Sequence, residues 1–327
     1  MLSLFTSSSN INFKKFFARL FIYLIIIIAF VLAINYLYVK FNFYEPDDDT
    51  EKFQRVPYNI QVFNFGPSHT QNGINYSASD SAKNYTCFNF ALSSQTLSYD
   101  LRLLKYYYDH LAKGGTCFID ISYFSLFRIP EHEREEFKSK NKRYYKFLDA
   151  KSIKQYDFWT GIFVKYLPAL AAYDKLFKRE TKNKQPETAE NLDLAKNGLA
   201  RWEYHVIKDN FDSNGNRIYN QEEIDALYEM IKLLKLKNIT PVLITTPYMS
   251  EYPDTVQEKS PEFFDEFYGL INKICDETGI KYYDYSRDAR FQDEHERLKI
   301  FRDADHLNKA GAAKFTEIIF KEIINKN

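Results

Sequence analysis

The stretch IQVFNFGPSH, residues 60–69, decides the fold of this chain. Its first six residues form a compact apolar run that ends at Gly66, which is typical of a buried strand entering a tight turn. Four similar strand-like runs follow, over residues 86–92, 116–122, 239–246 and 280–286. Helical patterns alternate with them. The alternation predicts a three-layer α/β/α fold, in which helices cover both faces of a parallel sheet.

The helical patterns also suggest where the helices end. They span residues 98–112, 221–237, 261–278 and 308–324. Glycine is the preferred residue just after the last turn of a helix, because it adopts a left-handed conformation without strain. Gly114 and Gly115 are therefore predicted to end the first of these helices, and Gly279 the third.

An uncharged apolar run covers residues 20–39 and, at 1.5 Å per residue, spans roughly 30 Å, the thickness of a bilayer core. This run predicts a transmembrane helix. Basic residues precede it and acidic residues follow, so we expect residues 1–19 to be cytoplasmic and the catalytic part to be periplasmic or extracellular. Residues 40–55 would form a linker to an ectodomain over residues 56–327. A cleaved signal peptide is the competing interpretation, but no small-x-small cleavage site follows the run.

The alternation of strands and helices stops over residues 128–200, a long region rich in Lys, Tyr and Phe. An insertion of this size in an α/β domain is often a lid or a binding loop. The equally weighted alternative is an extra, largely helical layer without a functional contact. The sequence therefore predicts a largely helical, lid-like insertion that lies over the active site or against the membrane.

Composition excludes several classes of partner. Lys plus Arg equals Asp plus Glu at 44 each, so no field of one sign exists to hold nucleic acid. Three cysteines are too few for a disulfide scaffold or a zinc site, although a bridge between Cys87 and Cys117 stays open if their strands are neighbours. Phosphate-binding glycine loops and HExxH are both absent from the sequence. We therefore predict neither a cofactor nor a metal.

The residues that could carry chemistry lie at opposite ends of the ectodomain. Ser68 follows the first strand, where a turn could present its hydroxyl. In FRDADHLNKAG, Asp303 and His306 are separated by two residues, so one turn can project both into the same site. A histidine oriented by a carboxylate can take the proton of a serine and make it nucleophilic. The alternative for Asp303 and His306 is a capped turn in a charged segment. We expect Asp305 to be a cap or a surface charge for the following helix, and His69 to point away from Ser68.

These motifs together resemble those of the SGNH hydrolase superfamily, the GDSL-like esterases, which have a flavodoxin-like α/β fold. The family has a serine after the first strand and a DxxH near the end, here followed by LNxxG, and its second block, NAGVSGDT, is similar to NFALSSQT at residues 89–96. The resemblance implies a Ser–His–Asp triad of Ser68, His306 and Asp303.

Two positions depart from the family pattern. The oxyanion glycine of the second block falls on Ser94, whose backbone N–H can still donate. The asparagine of the third block falls on Phe124, which cannot. One oxyanion donor is typically worth about 3 kcal/mol in the transition state. The candidate donors are the N–H groups of Ser68 and Ser94, with Gln95 as a substitute.

Combined with the membrane anchor, the resemblance implies a cell-envelope esterase or O-acyltransferase that acts on a surface or exported polysaccharide. It also implies a membrane-bound O-acyltransferase partner that supplies the acyl group. A catalytically inactive SGNH-like protein that binds glycan or acts as a scaffold is the alternative. The sequence does not distinguish transferase from esterase, because the two share one constellation of residues.

Overall fold

The computed structural model describes residues 13–41, 49–127, 141–171, 213–214 and 217–326. Those residues fall into two compact units. The smaller unit contains residues 13–41 and 155–171, and the larger unit contains the rest. Of the predicted insertion, residues 128–140 and 172–200 lie outside the described residues. Its described parts divide between the units at residue 155.

The larger unit is built on a parallel sheet of five strands. They are β1 (Ile60–Phe65), β2 (Cys87–Asn89), β3 (Leu111–Asp120), β4 (Thr240–Thr245) and β5 (Lys281–Asp284). The order across the sheet is β2-β1-β3-β4-β5, and each neighbouring pair is parallel. This is the flavodoxin-like order, in which the chain reverses direction across the sheet between β1 and β3. The predicted fold class is confirmed.

Helices flank this sheet, and a short antiparallel hairpin of β6 (Phe301–Asp303) and β7 (His306–Leu307) follows it. The helices of the two units are α1 (Phe13–Phe41), α2 (Ser68–Gly73), α3 (Leu97–Tyr106), α4 (Phe158–Tyr166), α5 (Pro168–Ala171), α6 (Gln221–Leu236), α7 (Glu251–Lys259), α8 (Phe263–Thr278), α9 (Glu294–Ile300) and α10 (Lys309–Ile319). The core lies where apolar strand residues such as Phe63, Phe65 and Phe118 are fully buried. Such burial explains why the strands read as continuous apolar runs.

The prediction that Gly114 and Gly115 end a helix is wrong. Helix α3 ends at Tyr106, and both glycines lie inside β3. A Cβ atom on Gly115 would come 2.5 Å from the backbone oxygen of Gln61 in β1. Gly115 is therefore needed for the close approach of two backbones, a reason that sequence alone does not distinguish from a helix end.

Two other helix ends follow ordinary capping rules. Gly279 ends α8 with a φ of 64°, as predicted. The side chain of Asn308 caps α10 by accepting hydrogen bonds from the N–H groups of Ala310 and Gly311, at 3.0 and 3.1 Å. Because Asn308 occupies this position, the prediction that Asp305 caps the helix is wrong.

Cys87 and Cys117 lie on β2 and β3, with β1 between them, and both are free thiols. Their strands are not neighbours, so the bridge that the sequence left open is not formed.

The smaller unit contains one long helix and two short ones. Among the described residues, α1 contains the one segment long and apolar enough to cross a membrane, Phe13–Tyr38. Near its end, the Asn35 side chain donates to the carbonyl of Tyr166 at 3.0 Å and accepts from the N–H of Ala169 at 3.2 Å. These bonds join α1 to the segment that contains α4 and α5.

We expect the substitution Gly115→Ala to destabilise the larger unit by about 2 kcal/mol, because the added methyl group would push β3 away from the backbone of Gln61 in β1. Gly269→Ala is the matched control, since a Cβ there meets nothing within 4 Å in the middle of α8. It should stabilise by up to about 1 kcal/mol. Chemical unfolding of the detergent-solubilised chain measures both, and equal stability of the two variants would contradict the close-approach explanation.

Candidate active site

Ser68 is held at the carboxyl end of β1 by a sharp turn. Gly66 has a φ of 144°, and a Cβ atom there would lie 2.6 Å from the Cβ of Asp120 at the end of β3. The chain then enters α2, of which Ser68 is the first residue. A first-turn N–H has no acceptor within its own helix, so the N–H of Ser68 is available to an incoming oxyanion.

Asn89 fixes the far end of this short helix. Its side-chain amide donates to the carbonyls of Thr70 and Ile74 at 3.2 and 3.0 Å, and its oxygen accepts from the side chain of Asn64 at 2.9 Å. The second sequence block therefore contributes an anchor for the helix that carries Ser68.

The hairpin of β6 and β7 brings Asp303 and His306 to Ser68. The two residues pair across the hairpin, and Nδ1 of His306 lies 2.8 Å from Oδ1 of Asp303. Nε2 of His306 lies 2.8 Å from Oγ of Ser68. Because the carboxylate only accepts, Nδ1 carries a proton and Nε2 of the neutral ring accepts from the serine hydroxyl. The structure thus brings the three predicted residues together, while their catalytic roles stay predictions.

A second carboxylate reaches the same histidine. Asp305 is only 1% exposed; its Oδ1 lies 3.2 Å from Nδ1 of His306, and its Oδ2 lies 3.1 Å from Nε2 of His69. The expectations that Asp305 is a surface charge and that His69 diverges from the site are therefore wrong. The chain folds back within the hairpin and turns Asp305 inward, where a histidine 236 positions away bonds to it.

The hydrogen bonds continue from His69 toward the sheet. Its Nδ1 lies 2.7 Å from Oγ of Ser122 and 3.3 Å from the hydroxyl of Tyr248. Oγ of Ser122 lies 2.7 Å from Oδ2 of Asp120. All of these side chains are buried. A connected network therefore runs from the end of β3 to His306.

Three members of this network, His69, Asp305 and His306, have potential metal-ligating atoms within 4.8 Å of one another. The separations of 3.1 and 3.2 Å between Asp305 and the two rings are those of hydrogen-bonded or ion-paired groups. We therefore interpret the cluster as a hydrogen-bond network.

Burial and the two carboxylates act in opposite directions on His306. Burial lowers its pKa, but the charges of Asp305 and Asp303 and their hydrogen bonds raise it more, to about 9. Burial also raises the pKa of Asp305, yet the charges and hydrogen bonds of His306 and His69 hold it well below its ordinary value. Burial raises the pKa of Asp120 to about 7, although the bond from Ser122 and the charge of His306 oppose the change. The site therefore holds a basic histidine beside the ionised carboxylate of Asp305.

The loop after β2 contains the other two predicted oxyanion donors. Ser94 has a φ of 52°, in the left-handed region where the family has glycine. Gln95 is buried, and its side-chain amide nitrogen is within hydrogen-bonding distance of the side chain of Asp100 and the carbonyl of Phe90. Its backbone N–H donates to the carbonyl of Leu92. The donors of Gln95 are therefore directed at Asp100, Phe90 and Leu92, and its role as an oxyanion donor stays a prediction.

Phe124, at the position of the family's third-block asparagine, packs near His69 with 5.7 Å between ring centroids. It is an apolar neighbour of the network.

Fold and site together define an α/β protein with a hydrogen-bonded serine, histidine and aspartate at the carboxyl edge of a parallel sheet. A comparison with protein families and one with curated proteins give no match. Among solved structures, a Bacteroides fragilis protein assigned as an acylhydrolase has a TM-score of 0.39 at 12% identity, over 86% of this chain and 97% of its own. A catalytic mutant of Axe2, an acetylxylan esterase from Geobacillus stearothermophilus, has a TM-score of 0.36 at 15% identity, over 82% and 95%. Likenesses this weak carry no argument, so the functional proposal rests on the site.

We expect Ser94→Gly to be more stable than Ser94→Ala by about 1 kcal/mol, because only glycine adopts the left-handed conformation without strain. Both variants remove the hydroxyl and keep the backbone N–H, so the difference isolates the backbone conformation. Thermal unfolding of the two variants measures it. Equal stabilities would mean that residue 94 is not held at positive φ.

Proposed function

We propose that this chain is a membrane-anchored serine esterase or O-acyltransferase of the SGNH type. The observation that carries the proposal is the hydrogen-bonded series from Ser68 through His306 to Asp303, at 2.8 Å for each step. The sequence blocks around these residues resemble the superfamily in the same order along the chain. Serine activation by a histidine that a carboxylate orients is the chemistry this geometry suits.

In the proposed reaction, Oγ of Ser68 attacks the carbonyl carbon of an ester while Nε2 of His306 takes the serine proton. The N–H groups of Ser68 and Ser94 stabilise the oxyanion. His306 then gives the proton to the leaving oxygen, so the ester bond breaks and an acyl group stays on Ser68. Asp303 keeps the proton of His306 on Nδ1 and stabilises the imidazolium that forms in both halves of the reaction.

The acceptor decides between the two activities. Water that attacks the acyl-enzyme makes the chain an esterase, whereas a sugar hydroxyl makes it a transferase. We propose a surface or exported polysaccharide as the substrate, because α1 would hold the catalytic unit at the membrane. A membrane-bound O-acyltransferase that delivers the acyl group is the proposed partner.

The proposed topology follows the charges around α1. Lys14, Lys15 and Arg19 lie near its start, which favours a cytoplasmic N-terminus and a catalytic unit in the periplasm or outside the cell.

A second candidate is an inactive SGNH-like module that binds glycan. Phe124 at the position of an oxyanion donor favours it, as does Gln95, whose amide is already bonded elsewhere. Such a module would have no need of an activated serine.

We expect the full chain in detergent to react with a fluorophosphonate probe and to hydrolyse p-nitrophenyl acetate. Ser68→Ala should abolish labelling, and Ser68→Ala and His306→Ala should each lower hydrolysis at least about a thousandfold. Ser77→Ala is the matched control, because Ser77 is exposed and its hydroxyl donates to the side chain of Asn75. Absence of labelling in a folded wild-type chain would favour the inactive module, and labelling that persists in Ser68→Ala would show that another serine is the nucleophile.

A further inference from the structure

Asp305 has no part in the proposed reaction, yet it is the more deeply buried of the two carboxylates beside His306. We infer that Asp305 and His69 are positioning residues, which form a buried relay that holds His306 on the side opposite Ser68 and continues through Ser122 to Asp120. The inference rests on the proposed function for its effect on catalysis. The geometry of the relay depends only on the hydrogen bonds that join its residues.

A fully buried carboxylate needs donors, because an ion without them costs several kcal/mol to desolvate. The Nδ1–H of His306 already donates to Asp303 at 2.8 Å, so its contact with Asp305 at 3.2 Å is the weaker one. Nε2–H of His69 supplies the stronger hydrogen bond to Asp305. The two rings also pack together, with 4.8 Å between their centroids. His69 therefore stabilises the negative charge of Asp305, and Asp305 in turn holds His306 in position.

The hydroxyl of Ser122 allows two proton arrangements. With Asp120 ionised, Ser122 donates to Asp120 and accepts from Nδ1–H of His69, which is then an imidazolium. With Asp120 protonated, Asp120 donates to Ser122, Ser122 donates to Nδ1, and His69 is neutral. Two protons each cross one hydrogen bond between these arrangements, and none enters or leaves. The relay therefore moves one positive charge toward or away from Asp305.

The groups that face the relay come from several elements. Asp303 and Asp305 of the hairpin face His306, and Arg302 lies 3.8 Å from Asp303. His69 is faced by Tyr248, which follows β4. Burial raises the pKa of Asp120 to about 7, which favours the arrangement in which Asp120 carries the proton more than an exposed carboxylate would.

The test measures the titration of His306 by NMR in the full chain, selectively labelled at its six histidines and assigned with His306→Gln. Asp305→Asn should lower the pKa of His306 by about one pH unit or more, because it removes an adjacent negative charge. His69→Gln should shift the titration in the wild-type background and have little effect when Asp305→Asn is present. His110→Gln, at a histidine that bonds to the carbonyl of Pro57, is the control.

If Asp305→Asn leaves the titration of His306 unchanged, or if His69→Gln acts equally in both backgrounds, the relay is wrong. Asp305→Asn and His69→Gln should each lower kcat at least about tenfold with little change in KM. Each should also shift the acidic limb of the pH–activity profile by as much as it shifts the pKa of His306. Wild-type activity should rise with pH toward about 9, as His306 loses its proton. A wild type without Ser68-dependent activity would overturn the proposed function, while the titration would still decide on the relay.

The smaller unit carries an exposed apolar face of its own. On α4 and α5, the side chains of Trp159, Phe163, Tyr166 and Leu170 are spaced at helical intervals and are 64, 37, 65 and 42% exposed. Asn35 ties this segment to α1, four residues before the end of the apolar run at residue 39. At 1.5 Å per residue, this contact lies about 6 Å inside the end of the proposed span.

We propose that this face lies in the boundary between headgroups and acyl chains of the bilayer that α1 spans. The depth of about 6 Å matches that at which interfacial helices bury their apolar faces, and Trp and Tyr favour this boundary. The segment belongs to the same unit as α1 and is bonded to it through Asn35, near the end of the proposed span, which argues for lipid over a protein partner. The part of the insertion at residues 155–171 would thus be a second membrane contact.

The test uses Trp159 fluorescence, since Trp202→Phe leaves it as the only tryptophan. In vesicles, lipids brominated high on the acyl chain should quench Trp159 more strongly than lipids brominated near the chain end. Ile27→Trp, in a chain with Trp159→Phe and Trp202→Phe, is the control within the span and should show the opposite order. Quenching of residue 27 without quenching of residue 159 would overturn the proposed contact alone. A loss of both would overturn the span as well, and a blue-shifted but unquenched Trp159 would indicate a protein partner.

Discussion

The hydrogen bond between Oγ of Ser68 and Nε2 of His306 joins two parts of the chain that are 238 positions apart. Almost every local feature of the larger unit serves to make this bond. The turn at Gly66 points α2 away from β1, Asn89 anchors the other end of α2, and the hairpin of β6 and β7 carries the histidine. The flavodoxin-like strand order supplies the crevice, because the carboxyl ends of β1 and β3 diverge where the connections reverse direction.

Such a site concentrates charge among buried groups. Asp120, Asp305 and His306 are each at most 4% exposed, and their ionisation is tolerable only because each faces a hydrogen-bonding partner. The same burial raises the strength of every interaction within the network. A basic His306 follows from two adjacent carboxylates, and this basicity suits a base that must also stabilise its own protonated form during acyl transfer.

Much of the fold could be predicted because its central strands, such as β1 and β4, are largely buried and read as apolar runs. The position of Ser68 and the spacing of Asp303 and His306 were also readable, since each depends on a short local pattern. Contacts between residues far apart in the sequence could not be predicted in this way. Asp305 and His69 are neighbours of the predicted residues in sequence, but their pairing depends on a hairpin and a helix that meet only in the folded chain.

Other differences have equally physical causes. The sequence predicts that Gly115 ends a helix, although Gly115 permits the close approach of the backbones of β3 and β1. At Gln95, the side-chain amide nitrogen lies within hydrogen-bonding distance of Asp100, and the amide oxygen accepts from the hydroxyl of Tyr144. In both cases the residue type alone does not show which partner the folded chain supplies.

The central claim is that Ser68 is an activated nucleophile that carries an acyl group. The most direct measurement is the mass of the full chain and of its Ser68 peptide after brief reaction with p-nitrophenyl acetate and acid quenching. The account predicts the added mass of one acetyl group on Ser68, and none when His306 is replaced by alanine. An unmodified Ser68 in a folded chain that still hydrolyses the ester, or an acetyl group on another residue, would contradict it.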